Sequence, residues 1–173
     1  MLAVMSGARQ GELLGLKWPD VDWFNNQIKI NRTYNNGGWY IPKSKASIRK
    51  IDLGSAMMVE LKKWRLACPS SELDLVFPND AGNVIDNSTM LKGQFFPALI
   101  NAGLPRIRFH DLRHTKASIM IEQGENIKYT QTQLGHSSPS VTLDVYAHLM
   151  KPINQEAAER FENLILKKMV AIR

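Results

Sequence analysis

The spacing of apolar residues along the chain predicts a mainly α-helical protein with one small antiparallel β-sheet, an α+β fold. Leu2-Ala3-Val4-Met5 reads as the tail of a helix, and Glu12 to Leu16 continues a short helix begun near Arg9 and stopped by Pro19. Residues 27–33 alternate apolar and polar, as a half-buried strand does. Asn35-Asn36-Gly37-Gly38 is a hairpin turn from which Trp39-Tyr40-Ile41 returns. A third strand over 48–53 places residues 43–47 in a second hairpin loop. Ser55 is expected to cap a helix through about Ala67. Asn87 or Ser88 caps another through Asn101, with Gly103 as its stop and Pro97 as a kink or division. Four more helices are predicted near 111–123, 126–134, 139–149 and 154–169, punctuated by Gly124, Gly135 and Pro152. In the last of them Ala157, Ala158, Phe161, Leu164, Ile165 and Val170 fall near one face, a stripe that needs cover from its own domain or from a neighbour.

Composition narrows the class. A chain of 173 residues with no repeats or internal boundary reads as one domain, large enough to bury a core. No apolar run approaches the ~20 residues of a membrane span, and no secretory signal opens the chain. Cys68 is alone, so it forms no internal disulfide, which fits a reducing cytoplasm. Because Met1 leads directly into the tail of a helix, the chain is expected to be a fragment of a longer protein. The net charge of +6 is unevenly spread. Lys43, Lys45, Arg49 and Lys50 crowd one stretch, and Arg106, Arg108, Arg113 and Lys116 face only Asp111 in another. Residues 72–86 carry Glu72, Asp74, Asp80 and Asp86 and no base. Two separated basic segments point to a face for a polyanion, against the plainer reading of a solvated basic surface.

The segment FHDLRHTKAS, residues 109–118, sets two chemistries against each other. His110 and His114 are four apart and can share a helix face as metal ligands. Against that, Asp111 stands where the hydrolytic zinc motif has Glu, no third ligand follows at motif spacing, and Arg113 and Lys116 repel a divalent cation. The alternative is an anion site. SGARQGELLGLKW places Arg9 after a glycine turn at a helix start, where backbone amides and a guanidinium both favour phosphate. QLGHSSPSVTLDVYAHL then places His136 after a helix-ending glycine, with Tyr146 ten residues on. Two arginines, two histidines, a loop lysine and a tyrosine are the parts of a metal-free phosphoryl-transfer site.

Taken in this order, Arg9 in SGARQGELLGLKW, the His-x-x-Arg of HDLRHT and LGHSS…T…Y ending at Tyr146 resemble the catalytic domain of the tyrosine recombinases, the phage integrase family. PKSKASIRKIDL is similar to the family stretch that carries a catalytic loop lysine; Lys45 is the matching position, with Lys43 close by. The resemblance implies a mobile-element recombinase that cuts and rejoins DNA through a 3′-phosphotyrosyl intermediate, with no cofactor and no metal. It assigns Tyr146 as nucleophile, Arg9 and Arg113 to the phosphate oxygens, His110 as general base or proton shuttle, His136 as a hydrogen-bond donor and Lys45 as general acid. Glu12 is expected either to orient Arg9 or another basic group, or to face solvent, and His114 to brace the site. Tyr34, Tyr40 and Tyr129 are expected to be structural. The implied partners are double-stranded DNA and, in the full-length protein, further copies in a tetramer on DNA, in the cytoplasm at the nucleoid. Residues 1–173 match the catalytic domain, with the family's amino-terminal DNA-binding domains absent. The other readings are a type IB topoisomerase, which needs one protomer rather than a synapsed set, and a non-catalytic DNA-binding module, which has no use for Tyr146.

Overall fold

The computed structural model describes residues 1–42, 45–138, 140 and 155–170. Helix α1 (Leu2–Ser6) stops at Gly7, whose φ of 61° is left-handed and whose N–H closes the turn on the Ala3 carbonyl. Helix α2 (Gln10–Leu14) ends at Gly15, earlier than the stop expected at Pro19, which instead lies in a one-turn 3-10 helix, Trp18–Asp20. The cause is a competing partner. Val76 N–H donates to the Leu16 carbonyl and Trp18 N–H to the Asp74 carbonyl, so residues 16–18 bridge to 74–76 instead of continuing α2.

The expected single sheet is two. Strands β1 (Val21–Asp22), β2 (Gln27–Ile30) and β5 (Arg49–Asp52) form one antiparallel sheet in the order β1-β2-β5, with Gln27 opposite Asp52 and Ile30 opposite Arg49. Strands β3 (Thr33–Asn35) and β4 (Gly38–Tyr40) form a separate hairpin. Its turn residues Asn36 and Gly37 have φ of 48° and 78°, the paired left-handed conformations that let a two-residue turn follow strand twist. The loop before β5 therefore joins unpaired strands. It is a return crossing between sheets rather than the second hairpin loop expected from the sequence, and Lys45–Ser47 forms a 3-10 turn within it.

Alternation on β2 and β5 buries Ile28, Ile30 and Ile51 and exposes Lys29 and Lys50. These isoleucines meet Leu13 of α2, Leu16 just beyond it, Met57, Met58 and Leu61 of α3 (Ser55–Ala67), and Val76 of the following loop. Trp18 and Trp23 stack at 6.2 Å and pack on this core. Gly54 rather than Ser55 holds the cap position of α3, and Asp86 rather than Asn87 or Ser88 caps α4 (Asn87–Met90), accepting from the Thr89 N–H at 2.7 Å. A π-turn, Leu91–Phe95, joins α4 to α5 (Phe96–Asn101) where Pro97 offers no N–H to an α-helical ladder. Helices α6 (Asp111–Glu122) and α7 (Ile127–Leu134) complete the platform, α6 against α1 and α7 against both α6 and β5. Helix α8 (Gln155–Val170) presents Phe161, Leu164, Ile165 and Leu166 exposed. Except for Ser140, the helix expected over 139–149 lies outside the described residues, and with it Tyr146 and His148. Among the described residues no helix is long and apolar enough to cross a membrane.

Candidate active site

The site is built around the Gly7 turn. A side chain at Gly7 would strike Lys116 at 3.0 Å and Leu134 at 3.1 Å, so α1 meets α6 and the end of α7 through bare backbone. Arg113, buried on α6, donates to the Gly7 carbonyl at 2.9 Å and to the Leu134 carbonyl. Lys116, one helical turn on, donates to the Ser6 carbonyl at 3.1 Å. Two cations from one helix thus grip consecutive carbonyls of the turn that leads into Arg9.

Arg9 is the cap residue of α2, and Glu12 closes the cap. One Glu12 oxygen accepts the Arg9 N–H at 2.8 Å; the other accepts the Arg9 guanidinium at 2.9 Å. Both Glu12 oxygens also accept from Arg49, at 3.0 and 2.9 Å. Glu12 is 3% exposed, so it orients arginines and does not face solvent. Burial alone would raise its pKa, but hydrogen bonds and charge from Arg49, then Arg9, hold it below the ordinary carboxylate value. One carboxylate balances one of these two guanidiniums. Arg9, with 42% of its side chain exposed, is the one left facing outward as a cation.

The histidines lie in reach of the same charges. His110 caps α6, its ring 4.8 Å from that of His114 and edge-on to it. Burial first, then the charges of His114, Arg113, Arg9 and Arg108, lower the His110 pKa. His136 follows Gly135, the left-handed cap of α7. Its N–H donates to the Gln131 carbonyl at 3.2 Å, and its carbonyl accepts from the Gln131 side chain at 3.0 Å. Burial, then Arg113, Arg9, Arg49 and His114, push its pKa down to about 4. Both rings are therefore neutral at neutral pH, able to donate from one nitrogen and accept at the other. Among the described residues no group of three or more His, Cys, Asp or Glu could hold a metal ion.

The structure thus brings Arg9, His110, Arg113 and His136 together. Lys45 begins the 3-10 turn whose Ala46 carbonyl lies 3.0 Å from where a Gly135 side chain would start, so its backbone sits beside His136. The Lys45 side chain, Lys43 and Tyr146 lie outside the described residues. Tyr129 donates its hydroxyl to Asp52 at 2.9 Å, and burial followed by that carboxylate raises its pKa to about 12. Two inward-facing cations, one buried and one half-buried, were missed in the sequence. Arg49 stands two residues before Ile51 on β5, an inward position by strand parity, and Lys116 stands three after Arg113 on α6, so each carried a signal. Arg49 and Arg113 are 6% and 3% exposed, so the two basic segments are not simply a cationic surface.

The Phage integrase family model matches residues 1–153. A protein named tyrosine recombinase XerC-like from Caldanaerobacter subterraneus subspecies tengcongensis is 33% identical over 96% of this chain and 49% of its own. The ICEBs1 integrase of Bacillus subtilis is 30% identical over 95% of this chain and 48% of its own. The chain therefore spans about half the length of these curated relatives. In fold it is similar to the Tn1549 transposon integrase solved with circular intermediate DNA, with a TM-score of 0.76 at 23% identity over 94% of this chain and 57% of that one. It is also similar to the catalytic domain of bacteriophage HP1 integrase, with a TM-score of 0.58 at 21% identity over 92% and 77%. The order Arg9, His110-x-x-Arg113, His136, the geometry that joins them, and these matches agree: the chain belongs to the phage integrase family.

Proposed function

We propose that residues 1–173 are the catalytic domain of a site-specific DNA recombinase of a mobile element, which cleaves and rejoins DNA strands through a 3′-phosphotyrosyl intermediate. The observation that carries this reading is the convergence of Arg9 and Arg113 with two neutral histidines around the Gly7 and Gly135 turns. A free tyrosine ionises near pH ~10, so forming the nucleophile at neutral pH costs ~4 kcal/mol unless its proton is taken as it attacks. In this reading the Tyr146 oxygen attacks phosphorus and gives its proton to His110. The phosphorus–O5′ bond breaks, and Lys45 gives a proton to the departing 5′ oxygen. Arg9 and Arg113 hold the non-bridging oxygens as charge builds on them, and neutral His136 donates a further hydrogen bond. The phosphotyrosyl bond keeps the energy of the broken one, so a 5′ hydroxyl from a partner duplex reseals it. The reaction takes double-stranded DNA, works in a tetramer of the full-length protein in the cytoplasm, and needs neither metal nor nucleotide. The exposed apolar residues of α8 supply a surface for a neighbouring protomer.

Incubation with a nicked suicide duplex, in excess chelator, tests the chemistry. A protein–DNA adduct that survives denaturant is the expected result. No adduct, or one that forms only when magnesium or zinc is restored, contradicts it.

A further inference from the structure

Arg49 is buried and donates from all three of its nitrogens, yet the catalytic reading does not use it. Its side chain is 2% exposed. Nε donates to the Gln133 carbonyl at 2.9 Å, Nη2 to Glu12 at 2.9 Å, and Nη1 to Glu12 at 3.0 Å and to the Ser47 carbonyl at 3.1 Å. Those partners belong to three site segments. Glu12 caps the helix that carries Arg9, Ser47 ends the turn that begins at Lys45, and Gln133 lies three residues before His136. Gly135 is bare where Arg49 passes, for a side chain there would meet the Arg49 Cδ at 2.8 Å. At the other end of β5 Asp52 is bound to Gln133 through both its N–H and its carboxylate, so the strand is fixed to α7 at both ends.

We propose that Arg49 is a positioning residue, whose planar fork sets where the 45–47 turn, and with it Lys45, stands relative to Arg9 and His136. This rests on the reading of Lys45 as general acid. A lysine at position 49 keeps the charge but satisfies one direction at a time, so the turn loses its tie while the buried carboxylate keeps a cation. Because the fault then lies in delivering a proton to O5′, a substrate whose departing atom is a 5′ sulfur, which leaves as thiolate without protonation, escapes it.

The test compares cleavage of an oxygen-linked and a 5′-phosphorothiolate suicide duplex by the full chain and by Arg49→Lys, with Lys45→Ala as reference and thermal unfolding as the check on fold. The sulfur-to-oxygen rate ratio is expected to rise about 100-fold in Arg49→Lys, the loss that a ~1 Å misplacement of a catalytic group produces. Glu12→Gln, which loosens the same fork from its other side, is expected to raise the ratio as well, even though disturbing Arg9 slows both substrates. A ratio unchanged from wild type in a folded variant overturns the proposal, as does loss of fold in both variants, which makes the pair a stability element. Failure of the wild-type chain to cleave either substrate is a different result and contradicts the recombinase reading itself.

Discussion

Replacing Lys116 with methionine removes an ammonium that the fold half-buries beside two guanidiniums. Burial, then Arg49 and Arg113, with Asp52 opposing, bring its pKa from 10.5 down to about 8. At about 1.4 kcal/mol for each tenfold in proton affinity, the charged side chain costs the folded state ~3 kcal/mol, or ~2 after allowing for the solvent it retains. Methionine removes that cost but strands the Ser6 carbonyl, whose donor at 3.1 Å is lost, a penalty of ~1 kcal/mol. At pH 7 the variant is therefore expected to be more stable than wild type by ~1 kcal/mol. The difference has a defined pH course. The folded pKa lies below the unfolded one, so the cost is fully present below pH 8. It disappears as pH rises toward 10.5, because the folded lysine sheds its proton while the unfolded one keeps it. By pH 10 the order should reverse, with wild type ahead. Urea unfolding of both proteins from pH 7 to 10, followed by circular dichroism, reads the difference directly. A difference that does not change with pH, or that moves further in favour of methionine as pH rises, refutes the burial argument.

The His136 ring should titrate near pH 4 rather than 6.5 in a proton NMR titration, because burial and the Arg113 and Arg9 charges oppose its protonation. The unfolded chain takes up that proton first, so stability should fall as pH drops from 6.5 toward 4, and a ring titrating at 6.5 would place it away from the arginines. Binding to duplex DNA should be dominated by phosphate contacts, with the logarithm of affinity falling against the logarithm of salt at a slope of about −0.9 per phosphate. Affinity of this chain that is indifferent to salt and strongly sequence-selective contradicts that.

Helices were readable from the sequence where a local signal decides them. Asn126 before α7, and Gly7 and Gly135 after α1 and α7, act through their own backbone and side-chain chemistry, and the elements they bound lie where expected. Boundaries failed where a distant partner decided. Trp18 leaves the helical path because Asp74 accepts its N–H, and β2 passes over its neighbour β3 to pair with β5. Nothing within ten residues of either carries that information. The same holds in the site. Arg9, His110, Arg113 and His136 stood out because spacing marks them, whereas Arg49 and Lys116 read as surface charge until strand parity and the α6 face are laid beside Glu12 and Ser6.

The identity of the attacking hydroxyl decides the mechanism. Tyr129 already donates its hydroxyl to Asp52 and ionises only near pH 12, so it is a poor nucleophile, and Tyr34 packs edge-on against Trp39 in the β3–β4 hairpin. Proteolysis of the trapped protein–DNA adduct, with mass spectrometry of the peptide that carries the nucleotide, distinguishes them. The nucleotide is expected on Tyr146, with no adduct in Tyr146→Phe; a nucleotide on Tyr129, or an adduct that persists in Tyr146→Phe, would contradict Tyr146 as the nucleophile.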